Sequence, residues 1–181
     1  MTKQTDCGHP KYKRIAANRE IAGLVFEYKT EQCTNCGATL WSSETEILFR
    51  EWLRKQKAEH PDKFTIQDIK IPLDLYEFAV DFGKRHSVTE TDVFRSAIAI
   101  FYTHQDAEMI SNMKLPKFSQ DFVTKKLRTN PVMYLRIETD ARLLDLYKGE
   151  VVSEIIKRVL HLSQKGEEKM LAEMERLLFA A

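Results

Sequence analysis

Glycine and proline are scarce in this chain, which holds 6 and 5 of them among its 181 residues. This is about half the usual share of these two residues in globular proteins, so tight turns should be few and helices should dominate. Long apolar runs are missing as well, since the longest, residues 97–102, falls far short of the ~18 residues of a transmembrane helix. The first ten residues are polar and lack the hydrophobic stretch of a secretory signal. We therefore expect a cytoplasmic protein that does not enter a membrane.

An excess of charge of either sign is also absent. The 28 Lys and Arg residues against 27 Asp and Glu residues give a formal net charge of +1, and 43% of the residues are hydrophobic, as in ordinary globular proteins. Any contact with DNA or RNA must therefore come from local basic patches. Each of the densest patches can equally be a solvated face; they comprise Lys11, Lys13 and Arg14, then Arg50, Arg54, Lys55 and Lys57, and finally Lys125, Lys126 and Arg128.

The three cysteines all lie near the start of the chain, in the segments Cys7-Gly-His9 and Cys33-Thr-Asn-Cys36-Gly37. Three thiols cannot pair completely as disulfides, whereas three thiolates and one imidazole make the tetrahedral Cys₃His set that Zn²⁺ accepts. The pattern predicts a structural zinc site formed by Cys7, His9, Cys33 and Cys36. Two other interpretations are a redox Cys-x-x-Cys pair, which lacks the usual βαβ surroundings, and a catalytic zinc, which needs an open coordination position.

Two short strands are predicted between these segments, at residues 12–17 and 24–28, with a turn around residues 18–20. The hairpin would bring the cysteines together, and the segment 1–42 resembles a zinc ribbon. A module of ~40 residues cannot build much of a core, so metal binding would supply much of its folding free energy.

A connector helix is predicted in the segment 43–62, where Ser43 and Glu46 have capping-box spacing. We expect this helix to dock the zinc module onto the rest of the chain. Its predicted apolar residues are Ile47, Leu48, Trp52 and Leu53.

The segment 63–104 has the pattern of one strand followed by two helices. Ile69 and Ile71 alternate with polar neighbours, as in a strand with one buried face, and Pro72 begins the first helix. Thr89 is well placed as the N-cap of the second helix.

The same order recurs in the segment 132–165, which strengthens the interpretation. Residues 132–137 alternate apolar and polar side chains as a second strand, and Gly149 ends the short helix that follows. Residues 149–160 align without a gap with residues 87–98 as the second helix of their copy.

Both segments resemble ribbon-helix-helix units, the fold of the Arc and Met repressors, and their tandem arrangement is similar to that of TraY-like fused proteins. The resemblance implies an α+β fold that is mainly α, in which two short strands pair into an antiparallel ribbon that enters the major groove of double-stranded DNA. A lone strand would leave its backbone edge unpaired, so two copies must combine. The two copies of one chain could pair with each other, or two chains could form a homodimer.

The resemblance also implies which residues would contact DNA. Strand side chains that face away from the core would read base edges, and N–H groups at the start of each second helix would bind phosphates. Asp68 departs from this pattern, because a carboxylate repels phosphate and can accept from cytosine N4. Ile66 shares its outward face in this register. The expected base-reading residues are Asp68, Lys70, Tyr134 and Arg136, and the expected phosphate contacts lie around Thr89, Thr91 and Ser153.

Two further segments complete the chain. The segment 105–131 is predicted as a helical linker of two short helices, and the segment 166–181 as a C-terminal helix whose apolar stripe serves core packing or partner docking.

Neither a nucleophile–base pair nor a phosphate loop nor a carboxylate constellation is evident in the sequence, so we do not expect an enzyme. We expect a zinc-containing, sequence-specific DNA-binding protein that acts as a transcription regulator, such as a repressor, or as a DNA-processing accessory factor. The alternative is a protein-interaction adaptor that binds a partner through the zinc module and the C-terminal helix.

Overall fold

The computed structural model describes residue 7 and residues 11–103, 117–164, 172–174 and 176. The chain divides into two compact units, Met1–Phe64 and Thr65–Ala181. Helices predominate in the described part, which also holds two small antiparallel sheets, so the expected α+β class with mainly helical content is confirmed. Among the described residues, no helix combines the length and apolar character needed to cross a membrane.

The first unit begins with a β-hairpin. Strands β1 (Tyr12–Ile21) and β2 (Leu24–Cys33) pair antiparallel over their whole length. The turn residues Ala22 and Gly23 have positive φ angles of 53° and 72°, which suit the twist of a tight hairpin. The turn expected at residues 18–20 is wrong, because the chain reverses at Gly23, a residue that adopts positive φ without steric cost.

Helix α1 (Ser43–Glu59) packs on the hairpin through an aromatic cluster. The ring centroid of Phe26 on β2 lies 5.2 Å from that of Phe49 and 5.4 Å from that of Trp52. The Arg19 guanidinium lies 5.1 Å from the Phe49 ring centroid. Tyr28 and Trp41 complete the cluster. The first unit therefore has an aromatic core in addition to its cysteines.

The start of α1 and its buried face differ from the prediction. The N-cap is Ser42, whose Oγ accepts a hydrogen bond from the N–H three residues later at 3.0 Å. Phe49 is buried, whereas Ile47 and Leu48 are exposed, because the side of α1 that faces the hairpin is the one that carries Phe49. A 3₁₀ turn at Pro61–Phe64 ends the unit.

Within residues 65–103 and 117–164 of the second unit, the order strand, helix, helix occurs twice. The elements of these two ranges are β3 (Thr65–Pro72), α2 (Leu73–His86), α3 (Glu90–Thr103), β4 (Phe122–Arg128), α4 (Pro131–Leu144) and α5 (Lys148–Gln164). Strands β3 and β4 pair antiparallel, so the strands of the two halves form one two-stranded ribbon within the chain. The strand and both helices of the first half agree with their prediction.

The second half is displaced along the sequence from its prediction. Residues 132–137, expected as a strand, belong to α4, and the strand of this half is β4, in the segment expected as a helical linker. Helix α4 begins at Pro131 because Asn130 caps it, with Oδ1 accepting from the Met133 N–H at 2.8 Å. Its buried residues recur at helical spacing, at Pro131, Tyr134, Ile137 and Ala141.

Two residues explain why the prediction fails here. Gly149, expected to end a helix, lies in the first turn of α5, and α4 ends at Asp145 with a left-handed φ of 55°. In β4, Lys125 occupies the core-facing side together with Val123 and Leu127, so its charge interrupts the apolar alternation that would reveal a strand.

Strand β3 contains a β-bulge. The register shifts between Ile66 and Ile69, so that Gln67 and Asp68 together face the single residue Lys126 of β4. Asp68 adopts a left-handed φ of 56°. The extra residue keeps Ile66 in the core beside Ile69, whereas an unbroken strand would turn Ile66 outwards as predicted.

The first turn of α5 packs directly on this bulge. A Cβ atom at Gly149 would lie 2.5 Å from Gln67 O and 2.9 Å from Asp68 O, so the approach requires glycine. One turn further, the Ser153 hydroxyl donates to Gly149 O at 2.6 Å and accepts from the Lys70 N–H at 2.9 Å. Helix α5 thereby satisfies a backbone donor beside the bulge.

We expect Gly149→Ala to lower the free energy of unfolding by about 1–3 kcal/mol, because the helix and the bulge must separate to admit a methyl group. Helix propensity acts in the opposite direction, since alanine is favoured by up to ~1 kcal/mol. Urea unfolding followed by circular dichroism measures the difference, with the exposed Gln164→Ala at the other end of α5 as control. A Gly149→Ala variant as stable as the wild type would contradict the packing of α5 on the bulge.

Candidate metal centre and nucleic-acid interface

Three cysteine side chains converge at the open end of the β1–β2 hairpin. The sulfur atoms of Cys7, Cys33 and Cys36 all lie within 4.8 Å of one another. Thiolates bound to one tetrahedral Zn²⁺ at ~2.3 Å lie ~3.8 Å apart, so these spacings suit a shared metal ion. The structure therefore brings together three of the four predicted ligands, and the fourth, His9, lies outside the described residues.

The turn that follows β2 presents two of these sulfurs. The Gly37 N–H donates to Cys33 O at 3.0 Å, and the Cys33 N–H donates to Ala38 O at 2.8 Å. Gly37 has a φ of 73°, which other residues rarely adopt. The Asn35 N–H donates to Cys33 Sγ at 3.4 Å. The Cys-x-x-Cys-Gly pattern thus folds into a turn whose backbone donors point at sulfur.

Two polar contacts fix this turn to the strands. The N–H and the hydroxyl of Thr34 both donate to Lys11 O, at 3.1 and 3.3 Å. The Gln32 side-chain amide donates to Gly37 O at 3.0 Å. These bonds connect the turn to β2 and to the residue before β1, so both ends of the hairpin position it.

The three thiols differ in electrostatic environment. The N–H groups of Cys36 and Asn35 lower the pKa of the buried Cys33 thiol. The pKa of the exposed Cys36 is raised: the Ala38 N–H lowers it, but the neighbouring thiols of Cys7 and Cys33 and the partial loss of hydration outweigh that effect. Several thiolates in so small a volume repel one another, and a bound cation would relieve that repulsion.

Tyr12 is a neighbour of this cluster that sequence reasoning missed. Its hydroxyl lies 3.6 Å from Cys7 Sγ, within hydrogen-bonding reach of sulfur. Towards a thiolate the hydroxyl is the donor. Tyr12 also stands opposite Cys33 at the end of the β1–β2 ladder, so the strand pairing itself positions it.

We expect one metal ion per chain in the wild type and a loss of affinity of roughly 100-fold in Cys36→Ser, because a serine hydroxyl does not replace a thiolate ligand. Titration with Co²⁺, followed by thiolate-to-metal absorption, measures both stoichiometry and affinity. Asn35→Ser is the matched control. It introduces the same serine side chain in the same turn, but it removes no thiol and keeps the backbone N–H that donates to Cys33 Sγ. Equal affinities in the two variants would rule out Cys36 as a ligand.

Tyr12→Phe should weaken Co²⁺ binding about tenfold while the hairpin stays folded, because the variant keeps the ring and loses the hydroxyl beside Cys7. The same titration measures the effect. Tyr28→Phe serves as control, since Tyr28 stacks on Phe26 in the aromatic cluster of this unit. Unchanged Co²⁺ affinity in Tyr12→Phe would mean that the hydroxyl does not support the ligand.

The outer face of the β3–β4 ribbon is the second candidate site. Lys70 on β3 stands opposite Thr124 on β4, and Lys126 stands opposite the bulge. Arg128 stands opposite Thr65 at the end of the ribbon. The exposed residues of this face are Gln67, Asp68 and Lys70 on β3 and Phe122, Thr124, Lys126 and Arg128 on β4. Three cations and one carboxylate thus share a single exposed surface.

Lys125 differs from these cations because it points to the other side of the ribbon. Its Nζ lies 3.1 Å from Glu90 Oε1 and 4.7 Å from the ring centroid of Tyr76. The Tyr76 hydroxyl and the Glu90 carboxylate raise the pKa of Lys125. Its charge is therefore compensated inside the unit and belongs to the packing of α2 and α3 on β4.

The structure places the four predicted base-reading residues in two different locations. Lys70 and Asp68 lie on the ribbon face. Tyr134 is buried in α4, with Lys148 Nζ 4.9 Å from its ring centroid. Arg136 is exposed on α4, outside the ribbon. The expected placement of Tyr134 and Arg136 on a strand is therefore wrong, because their segment is helical.

Arg136 instead joins α4 to the end of α3. Its Nη1 donates to Tyr102 O at 3.0 Å, and the Tyr102 hydroxyl donates to Asp140 Oδ2 at 2.6 Å. Burial, together with the Asp140 carboxylate, raises the pKa of Tyr102. These contacts give Arg136 a packing role.

The residue before each second helix bonds a carboxylate of the protein itself. The Thr89 N–H and hydroxyl donate to Asp92 Oδ2 at 3.2 and 2.6 Å, and the contacts from Thr89 followed by Arg95 lower the pKa of Asp92. At the start of α5, the Tyr147 N–H donates to Glu150 Oε2 at 2.8 Å.

Thr91 and Ser153, the other two expected phosphate contacts, differ in burial, and the contact at Thr91 stays a prediction. Thr91 is half-buried in the first turn of α3. Ser153 is buried and bonded to the backbone of Gly149 and Lys70. The expectation for Ser153 is wrong, because its hydroxyl serves the docking of α5 on β3.

Comparisons of the chain with protein-family models, with curated proteins and with solved structures find no match. The assignment of function therefore depends on the chemistry of the cysteine cluster and of the ribbon face.

Proposed function

We propose that this chain binds double-stranded DNA through the outer face of the β3–β4 ribbon. The carrying observation is the ribbon itself, in which each strand is followed by two helices and one face exposes Lys70, Lys126 and Arg128 while the other lies in the core. A two-stranded ribbon fits the ~12 Å width of the major groove. This order of elements supports a tandem ribbon-helix-helix architecture for the second unit.

The side chains of the ribbon face have the chemistry of base recognition. Lysine and arginine donate to guanine O6 and N7, and Arg128 can do so with two parallel bonds. Gln67 and Thr124 offer an amide and a hydroxyl for other base edges. The face can therefore distinguish sequences, and we assign the chain to the regulators or accessory factors of DNA rather than to enzymes.

We further propose Zn²⁺ as the ion of the cysteine cluster, with Cys7, His9, Cys33 and Cys36 as ligands. Thiolate and imidazole are the donors that Zn²⁺ prefers in structural sites, and four protein ligands leave no open position for a reaction. The first unit would then be a zinc-ribbon-like module whose ion stabilises the open end of the hairpin.

A specific observation favours a protein-interaction adaptor as the second candidate function. The last turn of α4 and the residues before α5 expose large apolar side chains, with Leu143 at 78% and Tyr147 at 82% of full exposure. Leu144 and Leu146 extend this surface. Four large apolar side chains exposed within five consecutive positions are a feature of surfaces that contact other proteins, so the end of α4 suits a protein partner.

The DNA proposal predicts that Lys126→Ala combined with Arg128→Ala weakens binding to random-sequence duplex DNA. Each phosphate neutralised by the protein contributes about −0.9 to the slope of log K against log salt, so this slope should shrink by roughly 1–2. Fluorescence anisotropy of a labelled duplex at increasing KCl concentration measures both quantities.

The matched control combines Lys84→Ala with Arg142→Ala, which removes the same charge from exposed ion pairs on α2 and α4. We expect this control to bind as the wild type does. Equal losses in both double variants, or no binding by the wild type at low salt, would contradict the ribbon as the DNA surface.

A further inference from the structure

The outer face of the β3–β4 ribbon has an approximate twofold relation between its strands. Lys70 faces Thr124, and Lys126 faces the bulge formed by Gln67 and Asp68. Each strand thus contributes one outward lysine. The two lysines lie one residue pair to either side of the central pair of the ladder, Ile69 and Lys125.

The two lysines nevertheless face different partners. Opposite Lys70 the face offers the neutral Thr124, whereas opposite Lys126 it offers the exposed carboxylate of Asp68. A carboxylate among the residues that face a lysine lowers the positive potential on that part of the surface. The two lysines therefore present different potentials to a ligand on this face.

The position of Asp68 is fixed by the fold. Its φ of 56° belongs to the left-handed region, which aspartate and asparagine tolerate better than other residues with side chains. Its carbonyl group lies against Gly149. Two residues later along β3, the Lys70 N–H donates to the Ser153 hydroxyl. The carboxylate is thus carried by a rigid part of the ribbon, as recognition of a base requires.

A carboxylate can accept hydrogen bonds but cannot donate them. In the major groove the donors are the amino groups of cytosine and adenine, whereas guanine presents O6 and N7 acceptors to this groove. A base that faces Asp68 should therefore present an amino group, and guanine is disfavoured there. Lys70 faces the neutral Thr124, so a base that faces Lys70 should be guanine, the usual preference of a lysine.

We propose that Asp68 is a specificity-determining residue of the ribbon and that the DNA site of this chain lacks twofold symmetry. One half of the site, facing Lys70 and Thr124, contains guanine; the other half, facing Lys126 and Asp68, contains a base with an amino group. This inference rests on the proposed binding of DNA by the ribbon.

The test is a selection of binding sites from random-sequence duplexes with the full chain, followed by binding titrations of the selected site. Asp68→Asn removes the charge and keeps a residue that tolerates the left-handed conformation, so the bulge should persist. Asp81→Asn, at an exposed position on α2, makes the same change of charge away from the ribbon.

We expect the wild type to select a site that is not an inverted repeat and to discriminate about tenfold or more at the base facing Asp68. Asp68→Asn should lose that discrimination at this position alone and bind random DNA more tightly, while Asp81→Asn should behave as the wild type. Selection of an inverted repeat, or unchanged discrimination in Asp68→Asn, would overturn the inference alone. Failure of the wild type to bind any duplex would overturn the proposed function with it.

Discussion

The close approach of α5 to the β3 bulge is the constraint on which the second unit depends. Gly149 lets the helix backbone reach the carbonyl groups of Gln67 and Asp68, and Ser153 bonds the Lys70 N–H. Strand β3 belongs to the first half of the unit and α5 to the second, so this contact joins the halves within one chain. The bulge at this contact also determines which side chains lie on each face of the ribbon, because it directs Ile66 into the core and leaves Asp68 exposed.

The first unit is organised by shorter-range interactions. Backbone donors around Cys33 and the tether from Thr34 to Lys11 shape the cysteine turn locally, while the aromatic cluster packs α1 on β2. Each fully buried aromatic side chain stabilises the folded state by about 1.5–3 kcal/mol. A module this short is expected to depend mainly on a metal ion for its folding free energy, but its aromatic core contributes as well. We therefore expect an ion to stabilise mainly the open end of the hairpin, where Tyr12 and Cys33 pair, rather than the whole module.

The sequence sufficed where local signals and tertiary packing agree. Pro72 and the alternation of Ile69 with Ile71 correctly predict β3 and the start of α2, and the cysteine spacing correctly predicts a cluster. Strand β4 could not be predicted, because Lys125 faces the core side of the ribbon and is stabilised there by Glu90, a residue 35 positions away. The bulge could not be predicted either, because it packs against Gly149, a residue far away in the sequence. Long-range contacts of this kind override local periodicity and leave no pattern along the chain.

The electrostatics of the second unit determine how the proposed complex would divide its binding free energy. Thr89 and Tyr147, which precede α3 and α5, donate their N–H groups to Asp92 and Glu150, so each helix already has a carboxylate at the positive end of its dipole. The chain as a whole carries a net charge of only +1. A chain with so small a net charge gains little from long-range attraction to DNA, so sequence-independent binding should be weak. In the proposed complex a larger share of the affinity would then come from base edges, where Lys70, Lys126 and Arg128 would supply the donors and Asp68 would disfavour DNA of other sequences.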